Sequence, residues 1–180
     1  MAHESVLSAL DVATLAGDPS PDARAAIGAK VASRFDNVLI TQRERLLAEA
    51  ILEQLAKDTV VAVRESLAKS LSYLPGAPRN IVLALANDID EIAAPILEHS
   101  PVLTDQDLAR IVRQGSFAKQ MAIAGRSRIS ADLSEALTET DNSKVLARLV
   151  SNEGAVINGK TLEWIADHYS EDETVVGPLV

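Results

Sequence analysis

The stretch Leu55–Ala68, which reads LAKDTVVAVRESLA, decides the fold. Its opening Leu-Ala pair ends one apolar periodic segment, and a second such segment begins just after Asp58. Aliphatic residues recur in both segments at three- and four-residue spacing, which places them on one face of a helix. The stretch therefore predicts two helices joined by a tight turn.

The same pattern recurs elsewhere in the chain. Leu15–Asp18 and Leu85–Asp88 repeat the Leu-Ala-x-Asp string, and weaker units continue the phase from Gln114, Thr140 and Ser170. In each unit an aliphatic residue follows nine positions later, at Ile27, Leu67, Leu97, Ile123, Leu149 and Leu179. Repeats of this length stack so that each unit buries its apolar face against the next. We therefore predict an all-α fold, an α-solenoid of about six antiparallel helix pairs, as a single domain over residues 1–180.

The predicted helices and their caps follow from periodicity and from residues that favour helix ends. Thr41, Thr104, Ser130 and Asn158 stand at predicted N-caps, and Pro78 suits a first helical position. Pro95 leaves two interpretations open, either a bend within a helix or a helix that starts later, near Ala93. The predicted helices are 3–15, 20–34, 42–56, 59–73, 78–87, 89–99, 104–113, 116–125, 130–138, 142–151, 158–168 and 171–180.

An arginine lies six residues after each of the first two turn aspartates, at Arg24 after Asp18 and at Arg64 after Asp58. This pattern resembles the HEAT repeat, whose units place an Asp in the turn and an Arg six positions on. The Asp can cap the second helix, where negative charge is favoured. The resemblance implies a HEAT-like superhelix in which each Arg reaches the Asp of a neighbouring unit. We call these contacts the Asp–Arg ladder and expect them at Asp18, Asp58 and Asp88.

A narrower resemblance rests on Leu85–Asp88 and Ile92–Leu108, the second of which reads IAAPILEHSPVLTDQDL. Over roughly residues 45–170 the chain is similar to an uncharacterised alphaproteobacterial family of HEAT-like proteins, a domain of unknown function. The resemblance implies a fold and no activity. Members of that family tend to be longer, and the sixth unit stops inside its second helix, so we expect a truncated last repeat.

Composition narrows the classes of function. The chain has no Cys, which excludes disulfides and Cys-ligated zinc. It has no run of 18 or more apolar residues, so we expect no membrane span. The start MAHESVLSAL lacks a basic segment followed by an apolar one, so the cytoplasm is the expected location.

Catalytic and metal-binding patterns are absent from the sequence. His3, His99 and His168 have no metal-ligand spacing, and the clustered acids between Asp88 and Asp107 stand at predicted helix starts. No Gly-rich phosphate loop and no Gly-x-Ser-x-Gly elbow occur. We therefore predict a protein that is not an enzyme and has no catalytic residue, cofactor or metal site.

Charge is unevenly distributed. The net charge is −9, yet residues 109–131 carry five cations and no acid, whereas residues 132–180 carry 3 basic and 10 acidic side chains, or −7. The five cations could form an anion-binding surface. Helix geometry instead places Arg113 and Lys119 on one edge of the stack and Arg126 and Arg128 on the other, about 15 Å away.

Trp164, the only Trp, lies near His168 and Tyr169 on a predicted helix. It is either an interface anchor or a core residue, and core burial is favoured.

We predict a non-enzymatic scaffold or regulatory module that binds another protein. The alternative is a HEAT-like nucleic-acid-binding protein or DNA glycosylase, which the acidic charge and the scarcity of aromatic residues disfavour. A homodimer through the C-terminal repeat is a further expectation. The candidate partner-binding residues are Arg24, Arg64, Arg110, Arg113, Lys119, Arg126, Arg128, Lys144, Arg148 and Trp164.

Overall fold

The computed structural model describes residues 20–35 and 40–179, with the side chains described as far as Pro178. These ranges contain eleven α-helices and no β-strand, so the predicted all-α class is confirmed. One isolated parallel β-bridge joins Ile129 to Ala155. No helix within these ranges is long and apolar enough to cross a membrane. The predicted helix 3–15 and Asp18 lie outside the described residues.

The chain divides into two compact units. The first contains the described residues up to Ile96 together with Ser100–Val102. Its helices are α1 (Pro21–Phe35), α2 (Gln42–Ala56), α3 (Val61–Leu71), α4 (Arg79–Ala86) and most of α5 (Asp90–His99). Helix α1 packs on α2 and α3, and α4 packs on α2 and α3. Helices α1 and α2 therefore each contact both the next helix and the one after it.

The second unit contains Leu97–His99, the end of α5, and the chain from Leu103 onward. Alternate helices again pack together, α6 with α8, α7 with α9, α8 with α10 and α9 with α11. A short 3₁₀ helix, Gly177–Leu179, follows α11. The helices are α6 (Asp105–Gln114), α7 (Phe117–Ala124), α8 (Ala131–Thr138), α9 (Ser143–Val150), α10 (Gly159–His168) and α11 (Glu173–Val176).

Helix starts follow the local signals in the sequence. Thr41, Thr104, Ser130 and Asn158 are all N-caps whose side chains accept a backbone N–H. Thr41 with Glu44 and Thr104 with Asp107 form complete capping boxes. Pro78 is itself the N-cap residue, one position before the first helical residue of α4.

The structure decides between the two alternatives left open at Pro95, and one predicted helix is too long. Helix α5 begins at Asp90, so the later start near Ala93 is excluded and Pro95 lies inside the helix. The last predicted helix, 171–180, is reduced to α11 and the 3₁₀ turn, because Asp172 is the N-cap and Pro178 follows closely. Proline cannot supply the backbone N–H that a continuing α-helix needs.

The described aliphatic residues at the repeated ninth position belong to the core of their unit. Ile27 and Leu67 are 7% and 1% exposed in the first unit, and Leu97, Ile123 and Leu149 are fully buried in the second. The side chain of Leu179, the last predicted member, lies outside the described residues. The repeat period read from the sequence therefore identifies core residues in both units.

Candidate functional site

The arginines of the first unit join successive turns. Arg24 Nε and Nη2 donate to the two carboxylate oxygens of Asp58 at 2.6 and 3.0 Å. Arg64 binds Asp88 in the same bidentate way, at 2.7 and 3.1 Å. All four side chains are between 10% and 18% exposed. Each arginine thus contacts the Asp of the following turn, and water has little access to either pair.

Asp58 does not cap the helix that follows it, which corrects the expectation for this turn aspartate. The N-cap of α3 is Val60, and Asp58 accepts the Val60 N–H from two positions earlier, at 2.9 Å. Arg64 also donates to the Asp58 backbone oxygen at 2.6 Å. The hydrogen bond from Arg24 lowers the pKa of Asp58, and the bond to Asp88 raises the pKa of Arg64. These arginines are engaged within the fold, which weakens their candidacy as partner-binding residues.

The cations of residues 109–131 bind different elements. Arg110 pairs with Asp107 at 3.1 Å, and Arg113 pairs with Glu139 at 2.8 Å. Arg126 donates to the Leu97 carbonyl oxygen at 2.5 Å, and burial lowers its pKa. These three arginines therefore do not form one shared anion-binding surface.

Arg148, another candidate, pairs with Glu98 at 3.2 Å. Lys119, Arg128 and Lys144 have no side-chain ion pair within residues 20–35 and 40–178. Lys119 and Lys144 lie on α7 and α9, and Arg128 lies in the loop after α7. Most of the candidate cations are thus engaged in internal contacts.

Trp164 is half-buried on α10, not a core residue as favoured from the sequence. Its indole stacks on His168 with 4.2 Å between ring centroids, and Tyr169 meets it edge-on at 6.2 Å. The Tyr169 hydroxyl donates to Asp141 at 2.6 Å, and burial raises the pKa of Tyr169 to about 12. These contacts hold the indole in one orientation at the surface of the second unit.

An open cleft of about 380 Å³ lies beside Trp164, between α8 and α10. Helix α8 and its C-cap contribute Glu135, Thr138 and Glu139, and α10 contributes Lys160, Thr161 and Trp164. Thr161 is 7% exposed, and its hydroxyl has no hydrogen-bond partner in the part of the chain that the structure describes. Glu139 is held by Arg113, whose hydrogen bond lowers its pKa, whereas Glu135 is exposed and has no ion pair there. The cleft combines an aromatic wall with uncommitted polar groups.

Sequence reasoning missed a second feature of this unit, a clamp made by Asn152. The Asn152 side-chain amide donates to the carbonyl oxygens of Ala124 and Arg126 at 2.9 and 2.8 Å, and its oxygen accepts the Gly154 N–H. Ile129 adds backbone hydrogen bonds to Gly154 and Val156. The clamp fastens the loop after α9 to the loop after α7. The Asn-Glu-Gly string at 152–154 is a turn signal that could have directed attention to it.

No group of three or more His, Asp or Glu side chains in the described ranges is arranged to hold a metal ion. Within the described residues the structure is all-helical, and each of its two units packs alternate helices together. Residues 92–180, just under half of the chain, match a family described as an uncharacterised protein conserved in bacteria (DUF2336). Comparison with curated proteins and with solved structures gave no match.

Proposed function

We propose that this protein is a HEAT-like α-solenoid that binds another protein and is not an enzyme. The packing of alternate helices within each unit supports the repeat architecture, because stacked helix pairs produce such contacts. The Arg24–Asp58 and Arg64–Asp88 contacts support the HEAT-like character of the first unit.

The observation that carries the binding proposal is Trp164. A half-buried indole that borders a cleft has apolar surface available to a partner and a polar N–H at its edge. Trp is enriched among the few residues that dominate the energy of protein interfaces. Its contacts with His168 and Tyr169 already restrict the indole, so Trp164 loses less side-chain entropy when a partner binds.

The alternative, a nucleic-acid-binding protein or DNA glycosylase, receives less support. Such a protein needs an accessible basic surface to neutralise phosphates. Here Arg110, Arg113 and Arg148 are paired with acids, and Arg126 binds a backbone carbonyl. The proposal includes a second copy of this chain as a candidate protein partner. It also includes both a plain scaffold and a regulatory module as the role of the protein. The cytoplasmic location predicted from the sequence stays part of the proposal, and cell fractionation would test it.

Affinity capture with the immobilised protein tests the proposal. Wild type, Trp164→Ala and the matched control Leu46→Ala would be incubated with bacterial lysate, with and without nuclease. Leu46 is a suitable control because it is an exposed apolar residue of the first unit, 61% exposed. We expect proteins that wild type and Leu46→Ala retain and Trp164→Ala loses, and that bind again when purified.

Retention that nuclease abolishes would contradict the proposal, and so would the absence of any Trp164-dependent protein. Sedimentation of the purified chain would identify a second copy as the partner. Unfolding curves of the three proteins must agree closely, so that loss of capture reports binding and not loss of fold.

A further inference from the structure

We propose that the cleft between α8 and α10 binds an arginine side chain of the partner protein. This inference rests on the proposed protein-binding function and adds the chemistry of the segment that is recognised. It depends on three features of the cleft, which are the indole of Trp164, the carboxylate of Glu135 and the hydroxyl of Thr161.

The charge around the cleft favours a cation. Of the titratable residues that line it, Glu135 and Glu139 are acidic and Lys160 is basic. The surrounding residues 132–180 carry 10 acidic and 3 basic side chains, or −7. Glu139 is already paired with Arg113, so Glu135 is the carboxylate open to a new partner. A field of one sign steers ligands of the opposite sign toward a site.

A hydroxyl without a partner distinguishes this cleft from an ordinary acidic surface. Thr161 is more than nine-tenths buried and lines the cleft, yet its hydroxyl makes no hydrogen bond within the described residues. That hydroxyl is not itself fully enclosed, because Ser134 Oγ is the one fully buried side-chain polar atom without a partner among the described residues. Neighbouring Thr138 is buried to a similar degree but donates to the Ser134 carbonyl oxygen at 2.8 Å. The Thr161 hydroxyl is therefore available to a ligand in the cleft.

Arginine fits these three groups better than lysine. Its planar guanidinium stacks on aromatic rings and presents five N–H donors in a fixed geometry. One edge can donate to the Glu135 carboxylate while another N–H donates to the Thr161 hydroxyl oxygen, with the plane against the Trp164 indole. The compact ammonium of lysine has no plane to stack.

The test uses the full chain and the fluorescence of Trp164, which is the only Trp. The probe is a capped heptapeptide of glycine and serine with one central arginine. Peptides with citrulline, lysine or glutamate at that position are the controls. We expect a saturable change in Trp164 emission with the arginine peptide, weaker binding of the lysine peptide, and none with citrulline or glutamate.

Variants assign the contacts. Glu135→Gln and Thr161→Val keep the side-chain shapes, and each should weaken binding of the arginine peptide roughly tenfold, since each removes one hydrogen-bonding group. Glu163→Gln is the matched control, because Glu163 is an exposed carboxylate on α10 that does not line the cleft. It should bind as wild type does. Unfolding midpoints of all three variants would show that the fold is kept.

The results separate this inference from the broader proposal. Preference for the glutamate peptide, equal binding of citrulline and arginine, or no saturable binding would each overturn the inference. If the lysate capture still depends on Trp164 while Glu135→Gln leaves it unchanged, protein binding stands and arginine recognition is wrong. If neither capture nor peptide binding occurs, both are wrong.

Discussion

In the first unit successive turns are joined by largely buried charged pairs, Arg24 with Asp58 and Arg64 with Asp88. In the second unit the arginine pairs are more exposed, and a neutral amide, Asn152, joins two loops. The charged contacts depend on two partners, and losing one leaves a largely buried ion uncompensated. The amide contacts carry no net charge, and their cost on removal is that of unmade hydrogen bonds. The buried charged pairs and the amide contacts thus differ in chemistry, and therefore in their sensitivity to mutation and pH.

The largest effect is expected from Asp58→Ala. The change leaves Arg24 without its carboxylate and Val60 without a hydrogen-bond acceptor, and we expect a loss of about 3 kcal/mol in the free energy of unfolding. Chemical denaturation followed by far-UV circular dichroism measures it. Glu53→Gln is the matched control, because Glu53 belongs to an exposed i, i+4 pair with Lys57 that should contribute little.

The same variant tests whether the units are independent. Trp164 lies in the second unit, so its fluorescence reports that unit alone, whereas circular dichroism reports all helices. Asp58→Ala should shift the circular dichroism transition more than the fluorescence transition. Equal shifts would mean that the two units unfold together. Separate free energies of unfolding for the two units would then not exist to be compared.

The pH dependence follows from the lowered pKa of Asp58. Its ordinary value is 3.8, and a carboxyl whose folded-state pKa is lower contributes stability that is present above that pH and is lost as the pH falls through the folded value. The stability difference between wild type and Asp58→Asn should therefore be constant near neutral pH and shrink below about pH 4. A difference that stayed constant down to pH 2 would show that the charge of Asp58 contributes nothing.

In the second unit, Asn152→Ala should cost about 2 kcal/mol, since two carbonyl oxygens and the Gly154 N–H lose their partner. Asn152→Asp should be worse, because it places a carboxylate against the carbonyl oxygens of Ala124 and Arg126. Denaturation monitored by Trp164 fluorescence checks both. If the aspartate variant were the more stable of the two, the donor role of this amide would be wrong.

The charged pairs of the first unit and the Asn152 contacts of the second unit also differ in how far they could be predicted from the sequence. Arg24 and Arg64 repeat at the same spacing from a turn aspartate, and the HEAT resemblance that rests on this pattern implied their contacts. Asn152 reaches carbonyls 26 and 28 positions earlier through an irregular loop, and no periodicity encodes such a contact. Helix starts were predictable from local pattern too, since the side chain of a cap such as Thr104 contacts Asp107, three positions on.

The cleft could be predicted only in part. The sequence placed Trp164 near His168 and Tyr169 on one predicted helix, where side chains four apart share a face. Whether the indole is core or surface depends on what α8 places opposite it, and that is a tertiary property. Thr161 gave no sequence signal at all, because an unpartnered hydroxyl is recognisable only from its surroundings.

A smaller effect is expected at Gly154. An added Cβ would lie 2.1 Å from the Ser127 carbonyl oxygen, which belongs to the backbone, so Gly154→Ala should cost ~1.5 kcal/mol by forcing the two loops apart. Gly159→Ala is the control, because nothing lies within 4 Å of its added Cβ. It should leave stability unchanged or raise it by about 0.5 kcal/mol. Equal costs at both positions would argue against close contact between the loops.

The smallest effect concerns Tyr169, whose hydroxyl bonds to Asp141 at the edge of the second unit. Tyr169→Phe should cost about 0.5 kcal/mol at neutral pH, because the bond is exposed.

Burial and the Asp141 carboxylate raise the pKa of Tyr169 from 10.0 to about 12. A raised folded-state pKa means that the hydroxyl contributes stability below pH 10 that is lost as the pH rises toward 12. Tyrosinate absorbance should therefore show a late step that Tyr169→Phe removes and Tyr73→Phe retains. If the late step survives in Tyr169→Phe, the step belongs to another group. The contact between Tyr169 and Asp141 would then not titrate between pH 10 and about 12.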